Sequence, residues 1–101
     1  MKFEEMEDMF SDLWAEDKEP CEFKRVKSKL SKLADLHAFL LISQRFPKIK
    51  GSMLGNYSGG QIYFGPGSDE FPKKIPLTKE DIVDLVRCGV FMDRGCFSMF
   101  L

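Results

Sequence analysis

Histidine is all but missing from this chain. His37 stands alone, so proton transfer near neutral pH has a single ordinary carrier. Cysteine is sparse too: Cys21, Cys88 and Cys96 are odd in number and include no C-x-x-C pair, which speaks against a disulfide framework and a zinc site and for reduced thiols. The longest dense apolar run, Ala38 to Ile42, is far short of the roughly 18 residues that span a bilayer. The opening MKFEEMEDMF has no basic start followed by an apolar run, so no signal or transit peptide is expected. Gly51 to Gly60 has neither the Gly-Lys-Ser/Thr ending of a P-loop nor G-x-G-x-x-G spacing, and a flexible hairpin tip is its plainer reading. Together these gaps predict a cytoplasmic protein that is not an enzyme, with no cofactor, no metal site and no membrane association.

What the chain does have is bulk and separated charge. Its 101 residues are 44% hydrophobic, 13% aromatic and 31% charged, with ten Phe and six Met. That is enough apolar mass for one core without staples, and the composition is far from that of disorder. The net charge is only −1, yet residues 1–19 carry eight acids against Lys2 and Lys18, while residues 20–50 carry eight bases against Glu22 and Asp35. Each end segment is therefore able to present a face of one sign.

Phe3, Met6, Phe10 and Leu13 recur at helical spacing with Trp14 beside them, predicting a first helix over 3–16. After Pro20 the spacing restarts at Phe23, Val26, Leu30, Leu33, His37 and Leu40, predicting a long second helix over 22–45 that ends before Pro47. The two are expected to pack as an antiparallel pair, a helical hairpin over 1–46. Short apolar runs follow. Strands are expected at 48–54 and 61–64, joined by the Gly55–Gly60 turn, and 65–76, with its three prolines, reads as a surface loop.

Thr78 with Asp81 three residues on forms a capping box, flanked by Leu77 and Ile82 as a hydrophobic staple, so a helix is expected over 79–88 with Gly89 at its end. Strands at 90–92 and 96–101 then flank a three-residue loop, Asp93-Arg94-Gly95. The resulting fold is α+β, a single domain of order α-α-β-β-α-β-β with a ββαββ portion over 47–101 and a small antiparallel sheet. The last strand is apolar on both faces, which predicts either a central, covered strand or one that pairs with another chain as a homodimer.

For binding, two charged segments compete. Glu4, Glu5, Asp8 and Asp12 line the outer side of the first helix, and with Tyr57 in the glycine-rich turn they form the expected contact surface for a protein partner. Lys24, Arg25 and Lys32 lie opposite the apolar stripe of the second helix, where phosphate-contacting groups belong; they carry the alternative of a small nucleic-acid-binding regulator. His37, in the middle of a stripe, reads as a core histidine with one ring nitrogen satisfied. Cys88, at a helix C-terminus, and Cys96, in an apolar strand, read as structural thiols.

Over the last 45 residues the helix Leu77–Cys88, the run Arg87-Cys88-Gly89-Val90, Asp93 and the ending Phe97-Ser98-Met99-Phe100-Leu101 resemble short phage and prophage accessory proteins. That resemblance implies a bacterial host cytoplasm and an accessory role, in a class that includes inhibitors of host defence. It implies no activity and no site residues. The function expected from the sequence is a non-catalytic protein-binding protein, a phage inhibitor of a bacterial defence or regulatory complex, acting on a host protein.

Overall fold

A computed structural model describes residues 1–15, 23–26, 29–49 and 54–100. The elements are α1 (Phe3–Ala15), a 3-10 turn (Phe23–Arg25), α2 (Ala34–Arg45), β1 (Leu54–Ser58), β2 (Gln61–Phe64), α3 (Lys79–Arg87), β3 (Phe91–Asp93) and β4 (Cys96–Phe100). The class is α+β and the order is the expected one, with the 3-10 turn added. The strands form one antiparallel sheet in the order β1-β2-β4-β3.

The capping box forms as the sequence reads. Thr78 Oγ1 accepts from the Asp81 amide at 3.1 Å, and the Asp81 carboxylate accepts from the Thr78 amide at 3.0 Å. At the other end Gly89, at φ 95°, lets the Val90 amide reach the Leu85 carbonyl and the Gly89 amide reach that of Val86, both at 2.9 Å. This is the Schellman pattern. Leu85 and Val90, both fully buried, make the apolar contact that goes with it.

The long second helix does not form. Among the described residues of that span only Ala34–Arg45 is α-helical, and the expected seam fails upstream: Leu30 is 40% exposed and Leu33 61%. The reason lies in one hydrogen bond. The Leu30 amide donates to His37 Nδ1 at 3.0 Å, whereas two residues seven apart in a straight helix are displaced by about 10 Å along the axis. Ser31 Oγ also captures the Leu33 amide at 3.1 Å, a local bond that competes with helix. α1 therefore lies chiefly on α3 and β3 instead of along a continuous partner helix over 1–46.

Both hairpins are tighter than expected. Gly59 and Gly60 take φ of 59° and 82°, and Arg94 and Gly95 take 52° and 75°, so each loop has two residues with positive φ. Such turns match the right-handed twist of paired strands, which is why they displace longer loops. β1 consequently runs on to Ser58, and Tyr57 sits within the strand, not in a loop. Of the strand expected at 48–54, residues 50–53 lie outside the described residues, as does Cys21.

β4 is central, with β2 on one edge and β3 on the other. Of the two alternatives expected for the last strand the central one is observed, and with its backbone groups paired on both sides β4 has no free edge for strand addition. On the face of the sheet toward the helices, Ile62 pairs with Met99 and Phe64 with Phe97. Phe97 is fully buried and its ring lies 5.4–6.0 Å from those of Phe10, Phe46, Phe64 and Phe71. The 65–76 segment is not a detached surface loop: it sends Phe71 and Ile75 into this core, and the Ile75 amide donates to the Met1 carbonyl at 2.8 Å.

Candidate protein-docking surface

Glu4, Asp8 and Asp12 recur every four residues on the exposed side of α1, with Glu5 beside them. The helix contains no base, and its last turn carries none to complement the partial negative charge of its C-terminal carbonyls. Like charges at this spacing repel, and Asp12 additionally faces the wrong end of the helix dipole. Glu5 has a local role: its Oε1 accepts from the Lys2 amide at 3.1 Å, the returning half of a capping box. Among the described residues, no hydrogen bond or ion pair takes up Asp8 or Asp12.

Beside this acidic side lies an aromatic corner. Trp14 Nε1–H donates to the Val90 carbonyl at 2.8 Å, tying the end of α1 to the link between α3 and β3. The indole meets Phe91 edge to face at 6.3 Å between centroids, and Phe91 meets Phe100 at 5.4 Å. Two adjoining hollows share Trp14 and Phe91. One, of about 560 Å³, also has Glu7, Asp8 and Ser11 in its wall; the other, of about 660 Å³, has Cys88, Gly89 and Phe100. Of the corner residues, sequence reading noted Trp14 only as a neighbour of the stripe. Phe91 and Phe100 became visible only once the strand register was known.

Tyr57 is 63% exposed but belongs to β1, at the opposite edge of the sheet from β3. The structure thus does not bring it together with the acids of α1. Lys24 and Arg25 are exposed on the 3-10 turn, and Lys32 is exposed in the irregular stretch before α2. No continuous helix presents these three bases as one face, which corrects the element on which the nucleic-acid alternative was built. Exposed leucines also occur on α2, at Leu36 and Leu40, and at Leu33, the residue that precedes it.

On the sheet face away from the helices, a polar group ties three strands. Gln61 Nε2 donates to Asp93 Oδ2 at 2.9 Å and to Ser98 Oγ at 2.8 Å, and the Tyr63 hydroxyl donates to the same Asp93 oxygen at 2.7 Å. Ser98, fully buried, donates to the Ile62 carbonyl at 2.7 Å. The Tyr63 bond, with that from Gln61, holds the Asp93 carboxyl below its usual value, and the same carboxylate pushes the Tyr63 phenol up. Every member is occupied by another, so the arrangement pins β2, β3 and β4 and leaves no free nucleophile–base pair. Its residues are some thirty apart in sequence, and no local motif signals it.

His37 is buried as expected, with Nδ1 bound to the Leu30 amide and Nε2 without a partner among the described residues. Burial lowers its pKa from the ordinary 6.5; Lys29 adds to the effect and Asp84 opposes it. The unfolded chain therefore takes up a proton first on acidification. Stability contributed by neutral His37 is present above the ordinary value and is lost as pH falls from there toward the lowered one. Urea titrations from about pH 7 to about 5.5 should show falling stability, and His37→Gln, which keeps an acceptor for the Leu30 amide, should flatten that slope. An unchanged slope would assign the loss to other groups. Burial likewise pushes the Cys96 thiol up, and Cys88 is buried at the end of α3, so both behave as structural thiols.

Among the described residues, no group of three His, Cys, Asp or Glu is placed to hold a metal ion, and no helix is long and apolar enough to cross a membrane. No family model, curated protein or solved structure matches the chain.

Proposed function

We propose that this chain is a non-catalytic protein-binding protein that engages a cationic partner through the acidic side of α1. The observation that carries the reading is the placing of Asp8 and Asp12 on a helix without bases, where like charges repel and, among the described residues, no hydrogen bond or ion pair takes them up. Complementary charge of this kind steers encounter and raises the association rate. In the setting implied by the terminal resemblance, the partner would be a host protein.

Glu4→Lys, Asp8→Lys and Asp12→Lys together test this, with Glu5 left in place for its capping bond. Exposed substitutions are usually worth about 0.5 kcal/mol or less each, so the melting temperature should hold within a few degrees. Bacterial lysate passed over immobilised wild type should yield a partner that elutes with rising salt, and the variant should not retain it. Retention by the variant would move the contact off α1. In the same preparation wild type should shift neither DNA nor RNA at about 0.15 M salt; a salt-sensitive shift lost on Lys24→Glu with Lys32→Glu would favour the nucleic-acid reading instead.

A further inference from the structure

We infer that the aromatic corner next to the acidic side of α1 is a socket for an apolar side chain carried on a basic partner segment; the inference rests on the protein-binding reading above and names what that surface accepts. Three observations converge on it. Trp14 is held by its bond to the Val90 carbonyl, so the indole is oriented before any partner arrives and little freedom remains to be lost on binding. Phe100 is 66% exposed although the three residues before it in β4 are buried, and its ring continues the wall that Trp14 and Phe91 begin. The adjoining rim carries Glu7 and Asp8, and among the described residues neither hollow has a lysine or arginine in its lining.

The charge decides the class of occupant. Glu7 and Asp8 give the rim its negative charge, and the last turn of α1, which carries Trp14, has no base to offset it. An acidic or neutral apolar segment gains contact with the rings but meets that field unfavourably. A segment whose leucine or aromatic anchor is flanked by lysine or arginine gains on both counts, and an arginine there also stacks on the rings. Ring wall and acidic rim together resemble the centre and edge of a binding patch, an apolar anchor point surrounded by charge.

Trp14 is the only tryptophan, so its fluorescence reports occupancy directly. Three short synthetic peptides without aromatic residues serve as probes: an amphipathic one of lysine and leucine, one of equal charge with serine for leucine, and one of glutamate and leucine. The lysine–leucine peptide should shift and saturate the Trp14 emission at micromolar concentration. The effect should weaken with salt and fall about ten-fold or more in Phe100→Ser, a variant whose exposed position should keep the melting temperature within a few degrees of wild type. If the lysine–serine peptide binds as well as lysine–leucine, or if Phe100→Ser binds normally, the socket is refuted while the acidic-face reading stands. If neither basic peptide binds, or the glutamate peptide binds equally, both fail. Self-association of the chain alone that buries Trp14, seen as concentration-dependent emission and sedimentation, would assign the corner to a second copy and overturn the inference.

Discussion

Phe97→Ala should be the most damaging single truncation in the chain, with a loss of about 3–5 kcal/mol, the range for a buried phenylalanine cut back to alanine. The ring is fully buried and meets rings from α1 (Phe10), β2 (Phe64), the residue that closes α2 (Phe46) and the 65–76 segment (Phe71). Removing it opens a void that four separately anchored side chains would have to fill, and aromatic rings set by their own strands and helices collapse poorly. Against a total stability of about 5–15 kcal/mol for a domain of this kind, that is a large share. Urea denaturation should show a lower midpoint with the slope retained. Leu30→Ala is the matched control: at 40% exposure it should cost under about 1 kcal/mol, well below a buried leucine. A loss at Leu30 comparable with that at Phe97 would restore the continuous second helix.

Asp81→Ala should come next, at about 1–3 kcal/mol. The carboxylate accepts from the Thr78 amide at 3.0 Å, from Arg45 Nε at 3.0 Å and from Arg45 Nη2 at 3.3 Å, so one substitution removes half a capping box and the link from α2 to α3. Caps are worth about 0.5–2 kcal/mol, and the arginine pair adds less than a buried one because its guanidinium side chain is 39% exposed and water screens it. Burial works against the ionised form of Asp81, but the Arg45 bonds, together with those from Thr78, outweigh it and leave the pKa below 3.8. A depressed carboxyl pKa stabilises the fold fully above the unfolded value and loses that contribution as pH falls through the folded one. The difference between wild type and Asp81→Ala should therefore be largest near about pH 6 and shrink toward about pH 3. A gap independent of pH would mean that the side chain acts by packing alone. Asp93, which is also depressed, is present in both proteins and cancels from the comparison.

Local signals were read correctly where the physics is local. The α3 box and its glycine-terminated end involve residues three to five apart, and hydrogen-bond geometry over that span leaves few alternatives. The same holds for α1, whose stripe buries Met6 and Phe10 as the spacing requires. The stripe from Phe23 to Leu40 has equally regular spacing, yet Leu30, Leu33 and Leu40 are exposed and the chain upstream of Ala34 leaves the helix. Periodicity records which residues would share a face if a helix formed. It does not register a competing acceptor, and here His37 Nδ1 takes the Leu30 amide out of any helical ladder.

By itself, then, the amino-acid sequence determined the α+β class, the order of elements, the α3 caps and the acidic side of α1, because each depends on neighbours within a turn or two of the chain. Strand order was settled only by tertiary structure. Whether β4 is an edge or a centre depends on which strands lie beside it, and that choice placed Phe100 against Phe91 and paired both edges of β4. It also set Gln61, Tyr63, Asp93 and Ser98 on one face, and the docking of α1 on β3 brought Trp14 to that corner. Contacts between residues tens of positions apart arise from side-chain shape and packing across elements, and no spacing along the chain encodes them.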